Sequence, residues 1–161
     1  MARLDVSMDD AELAAFLGSC WTARVATLGP DGWPHVIPLW FVWLEGSLVV
    51  NTTRGNRTVR NLEADPRAAI TIDDGELYDE LRGAVLRGHV SEADDDDGRI
   101  TAAFGDKYFG GNQPHFASWR NRFFLRMEPE RISSWDFRKI PAALARRQAE
   151  RDRDRAASPE A

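Results

Sequence analysis

The sequence predicts a mainly β fold of antiparallel strands with flanking helices. Three observations carry this. Runs of β-branched and aromatic residues recur along the chain, bounded by Gly, Pro, Asp and Asn. The early connections, Gly29-Pro30-Asp31-Gly32 and Glu45-Gly46-Ser47, have the length and composition of hairpin turns. Helical spacing is confined to short stretches near the start, middle and end.

Taken in order, Ser7-Met8-Asp9-Asp10 opens a helix, with acidic residues against its N-terminal dipole. Leu13, Phe16 and Leu17 form its apolar stripe, and Gly18 closes it. Thr22 to Leu28 is a strand with Ala23, Val25 and Thr27 on one face. Trp33 to Leu44 is almost continuously apolar, so one strand covered on both faces is expected. Leu48 begins a third strand that turns polar through Asn51, Thr52 and Thr53. Gly55 breaks the backbone and Asn56 is a helix cap. Arg57 to Leu62 reads as a short helix, stopped by Asp65-Pro66.

Arg67 to Asp73 and Leu81 to Ala93 are further strands. In the second, Ala84, Leu86 and Val90 point one way and Val85, Arg87 and His89 the other. Gly83 and Gly88 suggest a bend there. Asp94 to Asp97 reads as the acidic start of a helix over Arg99 to Tyr108. A breaker-rich, aromatic loop follows, with Tyr108, Phe109, His115, Phe116 and Trp119 in or beside it; it closes over a substrate or is pinned by its own rings. Arg122 to Met127 and Ile132 to Trp135 are the last strands. Residues 1–140 are expected as a single domain, and residues 141–161 as a charged, partly disordered tail.

Composition excludes several function classes. The chain has 161 residues, 43% of them hydrophobic and 29% charged. That suits a soluble domain burying roughly 70% of its unfolded surface. A net charge of -5 argues against wholesale nucleic-acid binding. The N-terminus has no long apolar run, so neither a signal peptide nor a membrane span is expected. Cys20 is the single cysteine, so no internal disulfide can form; a cytoplasmic location is expected. The three histidines show no metal-ligand spacing with it, and no metal is expected. His115 is the best proton-donor candidate, although nothing in the sequence positions it.

The chemistry-bearing stretch is Leu48 to Leu62. A helix N-terminus offers unpartnered N–H groups and partial positive charge. Arg57 sits in its first turn and Arg60 one turn later on the same side. Guanidinium groups fork onto phosphate oxygens, and Asn51, Thr52, Thr53 and Thr58 add polar groups beside them. This pattern suits a phosphate monoester. The tryptophans of Trp33 to Trp43 exceed what one small core needs, which suits a dimer interface, a slot for a planar ring, or both.

The same residues carry a resemblance. Ala23–Leu28, Asp31-Gly32-x-Pro34, Val36–Leu44, Asn51–Thr53, Gly55-x-Arg57, Asn61-Leu62 and Asp65-Pro66 occur in that order, with Ser133 to Phe137 later. This resembles the pyridoxamine-phosphate-oxidase-like flavin-binding split barrels. The likeness runs from the first strand to Phe137, with Asp94 to Arg120 poorly matched. It implies a roughly six-stranded antiparallel split β-barrel. It further implies a homodimer with cofactor between subunits, and backbone of Pro38, Leu39, Trp40 and Phe41 along the ring, with Trp135 stacking on its edge. Many members carry lysine where this chain has Thr58.

The resulting expectation is an oxidoreductase that binds FMN and passes hydride or electrons to a small organic substrate. The deazaflavin coenzyme F420 is the alternative cofactor, with Arg54, Arg57 and Arg60 as candidates for its acidic tail. A non-catalytic flavin- or haem-binding protein is the alternative class.

Overall fold

The computed structural model describes residues 4–118 and 120–157. Helix α1 (Asp10–Ser19) is opened by Asp9, whose carboxylate accepts the Glu12 N–H while the Glu12 side chain accepts the Asp9 N–H. It runs one residue past Gly18, and Cys20 forms its C-cap. Leu13, Phe16 and Leu17 are buried, as their spacing requires.

The strands are β1 (Ala23–Leu28), β2 (Pro34–Leu39), β3 (Phe41–Leu44), β4 (Ser47–Thr53), β5 (Arg67–Asp74), β6 (Arg82–Ala93), β7 (Arg122–Met127) and β8 (Arg131–Asp136). Helices α2 (Arg57–Ala64), α3 (Arg99–Phe109) and α4 (Ile140–Ala157) complete the chain. The strands join in the order β2-β1-β5-β6-β7-β4-β3, with β8 on β6. Every ladder is antiparallel.

The path starts and ends on one segment, because β2 and β3 are the two parts of the apolar run, separated at Trp40. Counting them as one bent strand and leaving β8 outside gives the six-sided split barrel. The unbroken strand expected over Trp33 to Leu44 is thus corrected: it changes partner, from β1 to β4, at Trp40. Long β6 also serves both halves. Arg82 to Arg87 pairs with β8, and Val90 to Ala93 pairs with β7.

One apolar cluster fills the barrel, from Val25, Phe41, Leu48, Val50, Ile70, Ile72, Leu86, Leu125 and Met127, and α1 closes it with Phe16 and Leu17. A second lies beneath α3, where Ile100, Phe104 and Phe116 meet Val42 and Val49. Burying each such side chain contributes about 1.5–3 kcal/mol. Gly83 and Gly88 serve close approach: a Cβ on Gly83 would lie 2.3 Å from the Trp135 ring, and one on Gly88 2.7 Å from the Glu128 carbonyl. Of the tail expected to be partly disordered, residues up to Ala157 belong to α4, and residues 158–161 lie outside those described.

Candidate functional site

The barrel is open along one edge of β2. Among the described residues β2 has a single strand partner, β1. The prolines fix which groups face out. Pro38 stands opposite Arg24 and Pro34 opposite Leu28, and neither can donate to the ladder. The even-numbered residues therefore turn their backbone to the free edge, and the odd-numbered ones bond to β1. The next residues keep this alternation: Trp40 C=O accepts the Asn51 N–H at 3.4 Å on the β4 side. The free edge between Pro34 and Pro38 thus presents three carbonyls and a single donor, the Val36 N–H. It is roughly 13 Å long.

Helix α2 meets the β1–β2 turn at one end of this edge, through Arg57. Its N-cap is Asn56, whose Oδ1 accepts the Val59 N–H at 2.9 Å. The Asn56 amide donates to Thr52 Oγ1 at 2.8 Å, tying the helix mouth to the end of β4. Gly55, at φ 76°, supplies the left-handed turn between them. Arg60 N–H bonds to the Asn56 carbonyl, so the first-turn donors left over are the Arg57 and Thr58 N–H groups. Val59 and Leu62 plug the barrel, and Asn61 donates to Thr27 Oγ1 at 3.0 Å in its wall.

The Arg57 guanidinium lies against the β1–β2 turn. A Cβ on Gly29 would sit 3.3 Å from Arg57 Nη2 and 2.6 Å from Asp31 Oδ1, so glycine keeps this cradle open. Asp31 Oδ2 is 3.9 Å from Arg57 Nη2, with both side chains half exposed. Such a pair contributes about 0–1 kcal/mol, too little to hold the guanidinium from a phosphate. Among the described residues Arg60 makes no ion pair. Arg54 is committed: it pairs with Glu92 and lies 4.4 Å from the Phe123 ring centre.

Two buried polar atoms here lack partners. Thr58 is 2% exposed and its Oγ1 bonds to nothing; Asn51 is 4% exposed and its Nδ2 is likewise alone. An unmet buried polar group costs about 1–3 kcal/mol. Asn51 Oδ1 accepts from Arg122 Nη1 at 2.7 Å. The orphaned Thr58 hydroxyl, two open N–H groups and a weakly held guanidinium suit the oxygens of a phosphate monoester; the Asn51 side chain lies on the other face of β4 from Thr52, toward α3.

The expected residues therefore fall into groups. Thr52, Thr58, Arg57 and Arg60 gather at the α2 mouth, with Thr53 ending β4 beside it. Pro38 and Leu39 lie on β2, and Trp40 joins its edge to Asn51. Phe41 is turned away: its N–H donates to the Tyr108 hydroxyl at 3.0 Å and its C=O accepts from it at 2.7 Å. Trp135 is distant in the same chain. It pairs with Gly83, opposite Asp73, which is about 20 Å along β5 from Arg67.

Trp40 is 40% exposed and stacks on Tyr108 with ring centres 4.5 Å apart. Phe109 meets Trp40 edge-on at 5.8 Å, and His115 meets Phe109 at 5.3 Å. The aromatic loop is thus pinned by its own rings and reaches Trp40; its Trp119 lies outside the described residues. Lys107 enters the core beside it, donating to the Leu17 carbonyl at 3.0 Å and lying 3.7 Å from the Phe41 ring centre. Burial pulls its amine down to about 8 and pushes the Tyr108 hydroxyl up to about 12. The sequence marked Gly29 only as a turn residue and Tyr108 only as one ring of the aromatic loop, and did not single out Lys107, because each owes its role here to a contact distant along the chain.

The sequence profile described as pyridoxamine 5'-phosphate oxidase matches residues 9–136. The chain belongs to the pyridoxamine 5'-phosphate oxidase-like family. A conserved hypothetical protein from Mycobacterium tuberculosis is 30% identical, over 88% of this chain and 92% of its own, with a TM-score of 0.78. A solved F420 reductase is 27% identical, over 74% of this chain and 94% of its own, with a TM-score of 0.61. The haem storage protein of Vibrio cholerae is 21% identical, over 83% of this chain and 96% of its own, with a TM-score of 0.66, a likeness of fold alone. No curated protein matches the chain. Among the described residues no helix is long and apolar enough to cross a membrane, and no cluster suits a metal ion.

Proposed function

We propose that this protein is a flavin-dependent oxidoreductase that holds FMN along the free edge of β2, with the phosphate at the α2 mouth. One observation carries the reading: Arg57, in the first turn of the unsatisfied α2 mouth, lies against the β1–β2 turn that leads into the open β2 edge. Arg57, Thr58 and the first-turn N–H groups would hold the phosphate. The Val36 N–H and the carbonyls of Pro34, Val36 and Pro38 would meet the ring's polar edge. Bound there, the cofactor would supply hydride or electron transfer, and the protein orientation and electrostatics. Trp40 and the loop carrying His115 would keep water from one side of the cleft, where a small organic substrate would enter.

The reading includes a homodimer. Leu28, Trp33 and Val36 are 42%, 72% and 57% exposed, an apolar group on the outer face of β1, β2 and their turn. A second copy seated there would cover them and bring its own Trp135 toward this cleft.

Purified protein should be yellow, with FMN found by mass spectrometry. Arg57→Ala should weaken FMN binding about 10- to 100-fold, the loss expected for a charge-assisted bond to phosphate. It should leave the thermal midpoint nearly unchanged. Equal affinity in both proteins would overturn the phosphate assignment.

The likeness to the F420 reductase favours a second reading, with the deazaflavin in the same cleft. Arg57 and Arg60 would then face its acidic tail, since Arg54 is taken by Glu92. Colourless protein that binds only the deazaflavin would select it. A stably bound cofactor that no donor reduces would select a carrier rather than an enzyme.

A further inference from the structure

We propose that Tyr108 is the positioning residue for the cleft: its hydroxyl is a wedge between Trp21 and Phe41 that ends the β1–β2 ladder at Leu39. This rests on the cofactor reading above for its consequence, but not for its geometry.

The β1–β2 ladder ends at Ala23↔Leu39. Continued by one more bonded pair, it would join Trp21 to Phe41. Instead the Tyr108 hydroxyl stands between them. It accepts from the Phe41 N–H at 3.0 Å and donates its single proton to Phe41 C=O at 2.7 Å or Trp21 C=O at 2.9 Å. These backbone groups are thereby satisfied without a neighbouring strand. Phe41 stands opposite Val50, but β3 bonds to β4 through its even-numbered groups, beginning with Trp40 C=O, on the edge away from Tyr108.

The hydroxyl is placed rigidly. Its ring is held between Trp40, at 4.5 Å and 7°, and Phe104, at 5.7 Å and 22°, while Trp21 meets its edge at 5.4 Å. Phe104 is fully buried on α3. Helix α3 thus sets the distance between two strands it does not belong to. Without the hydroxyl, the Phe41 N–H and C=O lose their partner in a buried place, and the relief available is pairing with Trp21. That pairing draws Phe41 toward Trp21 and displaces Trp40 and the β2 edge it adjoins, changing the cleft where the ring would lie.

Tyr108→Phe keeps the ring stack and removes the wedge. FMN affinity should fall at least tenfold while affinity for inorganic phosphate, which needs the helix mouth alone, stays as it was. Arg57→Ala should weaken both, so the two assignments fail separately: unchanged FMN binding in Tyr108→Phe sinks the wedge, and unchanged binding in Arg57→Ala sinks the phosphate site. A readout independent of cofactor is the amide spectrum of Tyr108→Phe. Shifts should run along His35 to Leu39 and into Asn51; shifts confined to Trp21, Phe41 and Tyr108 would overturn the proposal. Should the variant not fold, the native sequence labelled with 3-fluorotyrosine serves, because its tyrosines are Tyr78 and Tyr108 alone. Saturating FMN should move the Tyr108 fluorine signal and leave Tyr78 in place. An immobile Tyr108 signal would overturn the wedge.

Discussion

The two parts of the bent strand belong to one apolar run and have opposite fates. In β3, Phe41 and Val42 are buried, one in the barrel and one beneath α3. In β2, Val36 is 57% exposed and its neighbours alternate between half-buried and exposed. The difference lies in the backbone. Phe41 meets a hydroxyl that satisfies its groups, whereas the outer groups of Pro34, Val36 and Pro38 meet no strand. Hydropathy says that a segment wants cover; it does not say whether its own chain supplies it.

Substitution separates the two parts most sharply. Phe41→Ala should destabilise the protein by about 3–5 kcal/mol in denaturant unfolding, since a fully buried ring leaves a cavity. Val36→Asp should leave the barrel folded and instead halve the mass seen by light scattering, if β2 seats a second copy. A loss of fold from Val36→Asp, or a mild effect from Phe41→Ala, would break the contrast.

Much of this was legible in the chain, for physical reasons. Strands whose faces alternate announced themselves: Ala23, Val25 and Thr27 on β1 are buried, and Arg87 and His89 on β6 are exposed. The α2 cap was equally readable, because Gly55, Asn56 and Asp65-Pro66 act within a few residues of each other. The break at Trp40 was not, because nothing local ends a run of apolar residues. It lies where Tyr108, 67 residues away from Phe41 along the chain, takes the place of the next β1 rung. The site divides the same way. Arg57 and Thr58 follow from the cap, whereas the acceptor-rich edge of β2 required knowing which strand lies on its other side. Trp135 shows the limit, since a motif gives a residue's strand but not its distance from the α2 mouth.

A smaller effect distinguishes the cover over β3. Lys107 loses protons more readily folded than unfolded, its amine lying near 8 instead of its ordinary 10.5. Between those values the unfolded chain holds more protons, so stability rises with pH from about 8. Tyr108 acts oppositely. Its hydroxyl, raised to about 12 from 10.0, keeps its proton longer in the folded state, so stability falls from pH 10 upward. The thermal midpoint should therefore climb above pH 8 and turn down above pH 10. Lys107→Met should remove the climb and keep the decline. A climb that persists would show that a group other than the Lys107 amine produces it.

The smallest effect tests the β2 side, and its sign is the informative part. Thr58 Oγ1 is buried without a partner, a cost the protein bears when nothing occupies the helix mouth. Valine has nearly the same shape and no hydroxyl. Thr58→Val should therefore raise the stability of cofactor-free protein by about 1 kcal/mol, by removing an unmet polar group. The same substitution should weaken FMN binding, because the hydroxyl is then missing from the phosphate's partners. A residue kept only for packing would give no such opposition: stability and affinity would both hold or both fall. Opposite signs in unfolding and in FMN titration would mark Thr58 as held in reserve for a ligand. A loss of stability in the cofactor-free protein would mean that its hydroxyl already has a partner, and that the helix mouth is closed.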